Sequence, residues 1–129
     1  MTTSFTEPRH PGEFVLWEQG GHLSRDNITI ASGAGVVAVG TVLGKVTASG
    51  KYIVSAPGAS DGSQTPAALN LYPVDATSAD APVAAITREA EINGITITYH
   101  SSINTGALVL AANAALAAAH IIVRSRTAP

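Results

Sequence analysis

The 129 residues contain no cysteine, only six aromatic side chains and only 12% charged positions. Without cysteine there is no disulfide framework, no thiolate metal site and no cysteine nucleophile. So few rings predict a core of small pieces: 23 residues are alanine, and most other apolar positions are valine, isoleucine or leucine, which bury less area than a ring. The length suits one domain that buries roughly two-thirds of its unfolded surface. A core so poor in large groups favours association with a partner.

Charge excludes further classes. Seven Lys and Arg against nine Asp and Glu give a formal net charge of -2, and the basic residues stand singly apart from Arg124 and Arg126. Nucleic-acid binding calls for a basic face that neutralises phosphates, so none is expected. No membrane span is expected either. Ile92 to Val123 lacks Asp, Glu, Lys and Arg, but its most apolar part, Ala107 to Val123, is mostly alanine, holds Asn113 and His120, and falls short of the usual span of about 20 residues. It reads as a packed helix. The first ten residues have no apolar run of the kind a secretion signal needs.

Two segments emerge along the chain: an extended N-terminal arm over residues 1–21 and a single compact domain over residues 22–129. Pro8 and Pro11 bar a helix from the arm. Phe14-Val15-Leu16-Trp17, bracketed by Glu13 and Glu18, would as a strand show apolar groups on both faces, and Gly20-Gly21 closes the segment. Strands are predicted at Ile28–Ile30, Val36–Val39 and Thr41–Leu43, with a hairpin around Ala48-Ser49-Gly50 into Lys51–Val54. The isolated Gly40 and Gly44 suggest bulges or close backbone approaches. Residues 55–66 read as a surface loop, and Asp75 to Asp80 as a polar turn or one helical turn. Further strands are expected at Ala68–Tyr72, Val83–Thr87, Ile95–Tyr99 and Ile121–Arg124. A helix is predicted from Gly106 to His120, capped by Asn104 or Thr105, with Leu108, Ala112, Leu116 and Ala119 on one face. The fold class is α+β, mostly β: short strands, one C-terminal Ala-rich helix and the arm. No internal repeat is present.

Catalytic patterns are wanting. His10, His22, His100 and His120 share no metal-ligand spacing. Ser32-Gly33-Ala34-Gly35 lacks the Lys-Ser/Thr pair of a phosphate loop, and Gly-x-Ser-x-Gly does not occur. Glu89 and Glu91 would share one face if the strand ending at Thr87 continues, as a solvated pair. Asp61-Gly62 and Asp75 to Asp80 lack the repeated ligands of a calcium loop. No enzyme activity and no cofactor are expected.

The aromatics are unevenly placed. Phe5, Phe14 and Trp17 all lie within the first seventeen residues. The tetrapeptide Phe14–Trp17 reads either as a first core strand or as part of a binding arm. Phe5 fits the second reading better, since a proline-marked extended segment with a bulky anchor suits strand addition to another protein.

Phe5-Thr6-Glu7-Pro8-Arg9-His10-Pro11-Gly12-Glu13-Phe14, then Leu23 to Ile30 and Gly40 to Val46, resembles the bacteriophage lambda-type head decoration protein family. Val74 to Thr77, Arg88 to Glu91 and Ile121 to Arg124 resemble it more weakly. The resemblance implies a structural protein of the virion, made in the host cytoplasm, that binds the major capsid protein on the outer surface of the expanded head. It implies homotrimers at three-fold and quasi-three-fold positions that reinforce the shell against packaged DNA. By the same resemblance the arm carries the capsid contacts, with Phe5, Arg9, His10, Phe14, Leu16 and Trp17 as the residues expected to make them. A host-binding, adhesin-like β module of the virion is the alternative, and would carry its exposed aromatics in loops near a concave site. A small hydrolase or sugar-binding domain would need a polar cluster that the sequence does not show.

Overall fold

A computed structural model describes residues 10–20 and 23–124. Its regular structure is mostly β, with one helix. Strands β2 (Arg25–Ile30), β4 (Val42–Lys45), β5 (Tyr52–Val54), β6 (Pro66–Asn70) and β8 (Ala81–Ile86) close a small barrel in the order β2-β5-β4-β6-β8. Beside it lies a three-stranded sheet in which β9 (Ala90–Asn93) is central, antiparallel to β1 (Val15–Glu18) and parallel to β10 (Ile121–Arg124). A third pair, β3 (Gly35–Val37) with β7 (Val74–Ala76), is antiparallel. Helix α1 (Gly106–Ala118) leads directly into β10.

Two apolar clusters explain the runs of adjacent apolar residues. Strand side chains alternate between faces, and the barrel wall is covered on both. Leu43, Ala68, Val83 and Ala85 point into the barrel with Ile28 and Ile30, while their neighbours Val42, Leu69 and Ile86 point out to a second cluster with Ile92, Leu116 and Ile121. The small sheet and α1 cover that outer side. Asn70 links the two layers: its side chain accepts from Thr41 N–H (3.0 Å) and donates to the carbonyls of Ala38 and Tyr72 (both 2.8 Å).

Local signals placed the turns and the helix well. The β4–β5 hairpin turns at Gly50, whose φ of +72° is the left-handed region glycine tolerates. Gly44 is the close approach expected of it, as a Cβ there would fall 2.0 Å from the Ser63 carbonyl oxygen. Thr105 caps α1, its hydroxyl accepting from Leu108 N–H (3.3 Å), and Ala112 and Leu116 form the buried stripe.

Three expectations are corrected. Ile95–Tyr99 alternates in sequence but forms no strand: the segment turns on Asn93, whose side chain accepts from Ile95 N–H (3.0 Å), and its one strand-like pairing is an isolated bridge between Thr98 and Thr41. An Asx turn takes the amides that a ladder would use. The strand ending near Thr87 does not continue through Glu89 and Glu91. The chain breaks at Glu89, with φ of 52°, and crosses from the barrel to the small sheet. The 55–66 segment is not wholly a surface loop, because Ser55 and Ser63 are buried, with the Ser55 hydroxyl donating to the Ser63 carbonyl (2.8 Å).

Candidate functional site

Residues 10–18 fold onto the domain. Gly12, at φ of +72°, donates its N–H to the Leu71 carbonyl (3.1 Å), and the tight turn that follows sends Phe14 inward. Phe14 is 0% exposed, packed against Gly40 and the outer cluster, while its carbonyl accepts from Asn93 N–H (2.8 Å). Its side chain is a core group with no surface to offer a partner. His10 is exposed. Phe5 and Arg9 lie outside the described residues.

Leu16 and Trp17 are the two large apolar side chains that this segment presents to solvent, 55% and 53% exposed. Adjacent residues on a regular strand face opposite ways; here the register shifts between Val15, paired with Ile92, and Trp17, paired with Glu91. The bulge leaves Leu16 without a counterpart and re-aims the strand, so both side chains reach solvent.

Trp17 starts a row that crosses the small sheet. Glu91 pairs with Trp17 on one side and with Ile122 on the other. Trp17 and Ile122 therefore flank Glu91, above a cleft of about 450 Å³ also lined by Glu89, Ala90 and His120. Glu91 is held by Arg124 and Glu89 by His120 (2.7 Å). Glu89 and His120 are the two non-glycine residues with positive φ among the described residues, and they touch each other. Such conformations cost free energy and persist where the surroundings impose them. At the end of β1, Glu18 accepts from the Ser24 hydroxyl (2.6 Å) and from two nitrogens of Arg25. Above all, the Arg25 hydrogen bond holds its carboxyl below the usual carboxylate range.

A large exposed aromatic beside an aliphatic neighbour, rimmed by ion-paired side chains, has the make-up of a protein-binding patch. Among the described residues no group of three or more His, Cys, Asp or Glu could hold a metal ion, and no helix is long and apolar enough to cross a membrane. Of the six residues expected at the site, the structure leaves His10, Leu16 and Trp17 exposed and buries Phe14. Ile122, Glu89 and His120 were not foreseen as neighbours of Trp17. They arrive through the parallel pairing of β10 with β9, which no local pattern announces.

The carboxylates set a pH dependence. Asp26 is held low chiefly by Arg88, and Asp80 chiefly by Lys51, as Glu18 is by Arg25. A depressed folded pKa contributes stability above the unfolded value, and that contribution is lost as pH falls through the folded one. The urea midpoint is therefore expected to hold down to about pH 5 and to decline as pH falls through the usual carboxylate range near 4 and below it. Glu18→Gln should flatten that decline; a midpoint independent of pH would contradict it.

The family model of bacteriophage lambda head decoration protein D matches residues 4–121. No curated protein sequence matches the chain. That match takes in the barrel, α1 and the strands β1 and β9, so the chain belongs to the bacteriophage lambda head decoration protein D family.

Proposed function

We propose that the protein cements the phage head: homotrimers bind the outside of the expanded shell at three-fold and quasi-three-fold positions, contact neighbouring major capsid protein subunits and hold them against packaged DNA. The family match over residues 4–121 carries this reading. The exposed pair Leu16–Trp17 supports it, since a rigid, sheet-mounted tryptophan supplies contact area at little cost in side-chain ordering. The arm of residues 1–21 would then act in two parts, with residues 1–9, including Phe5 and Arg9, reaching the shell and Leu16–Trp17 extending the contact from the domain itself. His10 stands between them.

The trimer is supported by α1, whose 13 residues include no charged side chain and leave Leu110 71% exposed. A contact shared among three chains also makes weak individual contacts strong, because the second and third arms bind at high effective concentration. A ligand that binds only the assembled shell stabilises it by mass action, so the function needs neither catalysis nor a cofactor.

The test uses phage heads assembled without the protein. The full chain should sediment with them and appear as three-fold density on the outer surface by electron cryomicroscopy. Removal of residues 1–9, or Trp17→Ala, should weaken binding at least tenfold, about 1.4 kcal/mol, while leaving the thermal transition in place. Full-strength binding by both variants would refute the arm's role, and density with any other symmetry would refute the trimer.

A further inference from the structure

The barrel closes through a narrow seam. β2 meets β8 over all six of its residues but meets β5 at the single parallel pair Ile30 and Tyr52. The ends of the β2 ladder show which way its backbone points. Thr87 N–H donates to the Ser24 carbonyl (3.0 Å) on the β8 side, and Ala31 N–H donates to the Tyr52 carbonyl (2.9 Å) on the β5 side. Alternation between these ends turns the amides of Asp26, Ile28 and Ile30 toward β8, and those of Asn27 and Thr29 the other way. The amides of Asn27 and Thr29 on that other side meet no strand among the described residues, since β5 engages β2 only around the Ile30–Tyr52 pair. It opens on a cleft of about 490 Å³, with Asp26 to Thr29 along one wall and Lys45, Lys51 and Tyr52 along the other.

The charges at the cleft are unequal. Asp26 is neutralised by Arg88 (2.5 Å) and Lys51 by Asp80 (2.7 Å). Lys45 is the one Lys or Arg among the described residues with no ion pair. An open strand edge facing an unbalanced ammonium offers two complementary features to one kind of occupant. Main-chain hydrogen bonds supply attachment and the charge selects the side chain.

We propose that this cleft is a second docking site, in which an extended acidic segment of the shell protein adds alongside β2, accepts from the amides of Asn27 and Thr29, and sets a carboxylate against Lys45. The inference rests on the shell-binding reading above and adds to it a site separate from the arm.

Hydrogen–deuterium exchange of the full chain, free and bound to heads, tests it. Binding should slow exchange at least tenfold in the peptide spanning residues 24–31. Lys45→Glu should weaken binding at least tenfold and abolish that protection, while Lys45→Arg retains both. Asn27→Pro, which removes an amide aimed into the cleft and leaves the β8 ladder intact, should also lose protection; if it fails to fold, the Lys45 pair still decides. Wild-type affinity with unchanged exchange in residues 24–31 would overturn the inference and leave the shell-binding reading standing. Failure to bind heads at all would overturn both. Slow exchange already present in the free protein and lost on removing residues 1–9 would assign the cleft to the chain's own terminus, and the inference would fall.

Discussion

Phe14→Ala is expected to cost about 3–5 kcal/mol of folding stability, the usual range for emptying a buried phenylalanine site. The ring is wholly buried among Val39, Val42, Leu69, Leu71, Ile92 and Leu116. It also lies against the bare α-carbon of Gly40, where a Cβ would sit 3.0 Å from the ring. Gly40 is held at φ of +72° and cannot readily reshape itself to fill the space. A small domain has roughly 5–15 kcal/mol in total, so this one side chain carries a large share. Urea denaturation measures it; a loss under about 1 kcal/mol would show that the ring is not a core element. The variant also separates two kinds of failure. Phe14→Ala should impair shell binding by loosening β1, with a lowered melting temperature, whereas Trp17→Ala should impair it with the fold unchanged.

Gly44→Ala should destabilise by about 3 kcal/mol or more, beyond the common range for overpacking, because the clash is with backbone. The added carbon would stand 2.0 Å from the Ser63 carbonyl oxygen and 2.6 Å from its carbon. To make room, the 61–63 turn must leave β4. It would take with it the bond from Thr47 N–H to the Asp61 carbonyl (2.9 Å) and the Ser55 hydroxyl bond to Ser63, leaving the buried Ser55 hydroxyl unpaired. Gly58→Ala is the control: nothing lies within 4 Å of a Cβ there and its φ is not positive, so its stability should change little or rise slightly. Equal melting temperatures for the two variants would refute the close-packing account.

Much of the barrel was legible because its signals are local. β-branched residues bounded by glycine mark β2, β3 and β4, and Gly50 marks the hairpin. Thr105, followed by an alanine-rich run with Leu108, Ala112 and Leu116 in step, marks α1. Ile95–Tyr99 misled because alternation reports only which side chains are apolar. A strand would put Ile95 and Ile97 on one face, yet Ile97 is buried and Ile95 exposed, because Asn93 turns the chain first and only Thr98 bridges to a neighbouring segment, at Thr41. The site was half legible. Trp17 and Leu16 stood out by composition, and their exposure depends on a bulge that no residue type at Val15–Trp17 dictates. Phe14 was indistinguishable from them in sequence. Its fate was decided by the turn at Gly12 and by the space left at Gly40.

By itself, the sequence determined that no disulfide or thiolate chemistry is open to this protein, that its core is made of small side chains in mostly β structure, and that three of its six aromatic rings lie near the N-terminal end. These follow from composition and from patterns a few residues long. Only the tertiary structure decided that one ring serves the core and another the surface, that β10 brings Ile122 and His120 beside Trp17, and that β2 keeps an open edge opposite Lys45. Each depends on pairing between segments distant in the chain, where a single-residue shift in register exchanges inside for outside.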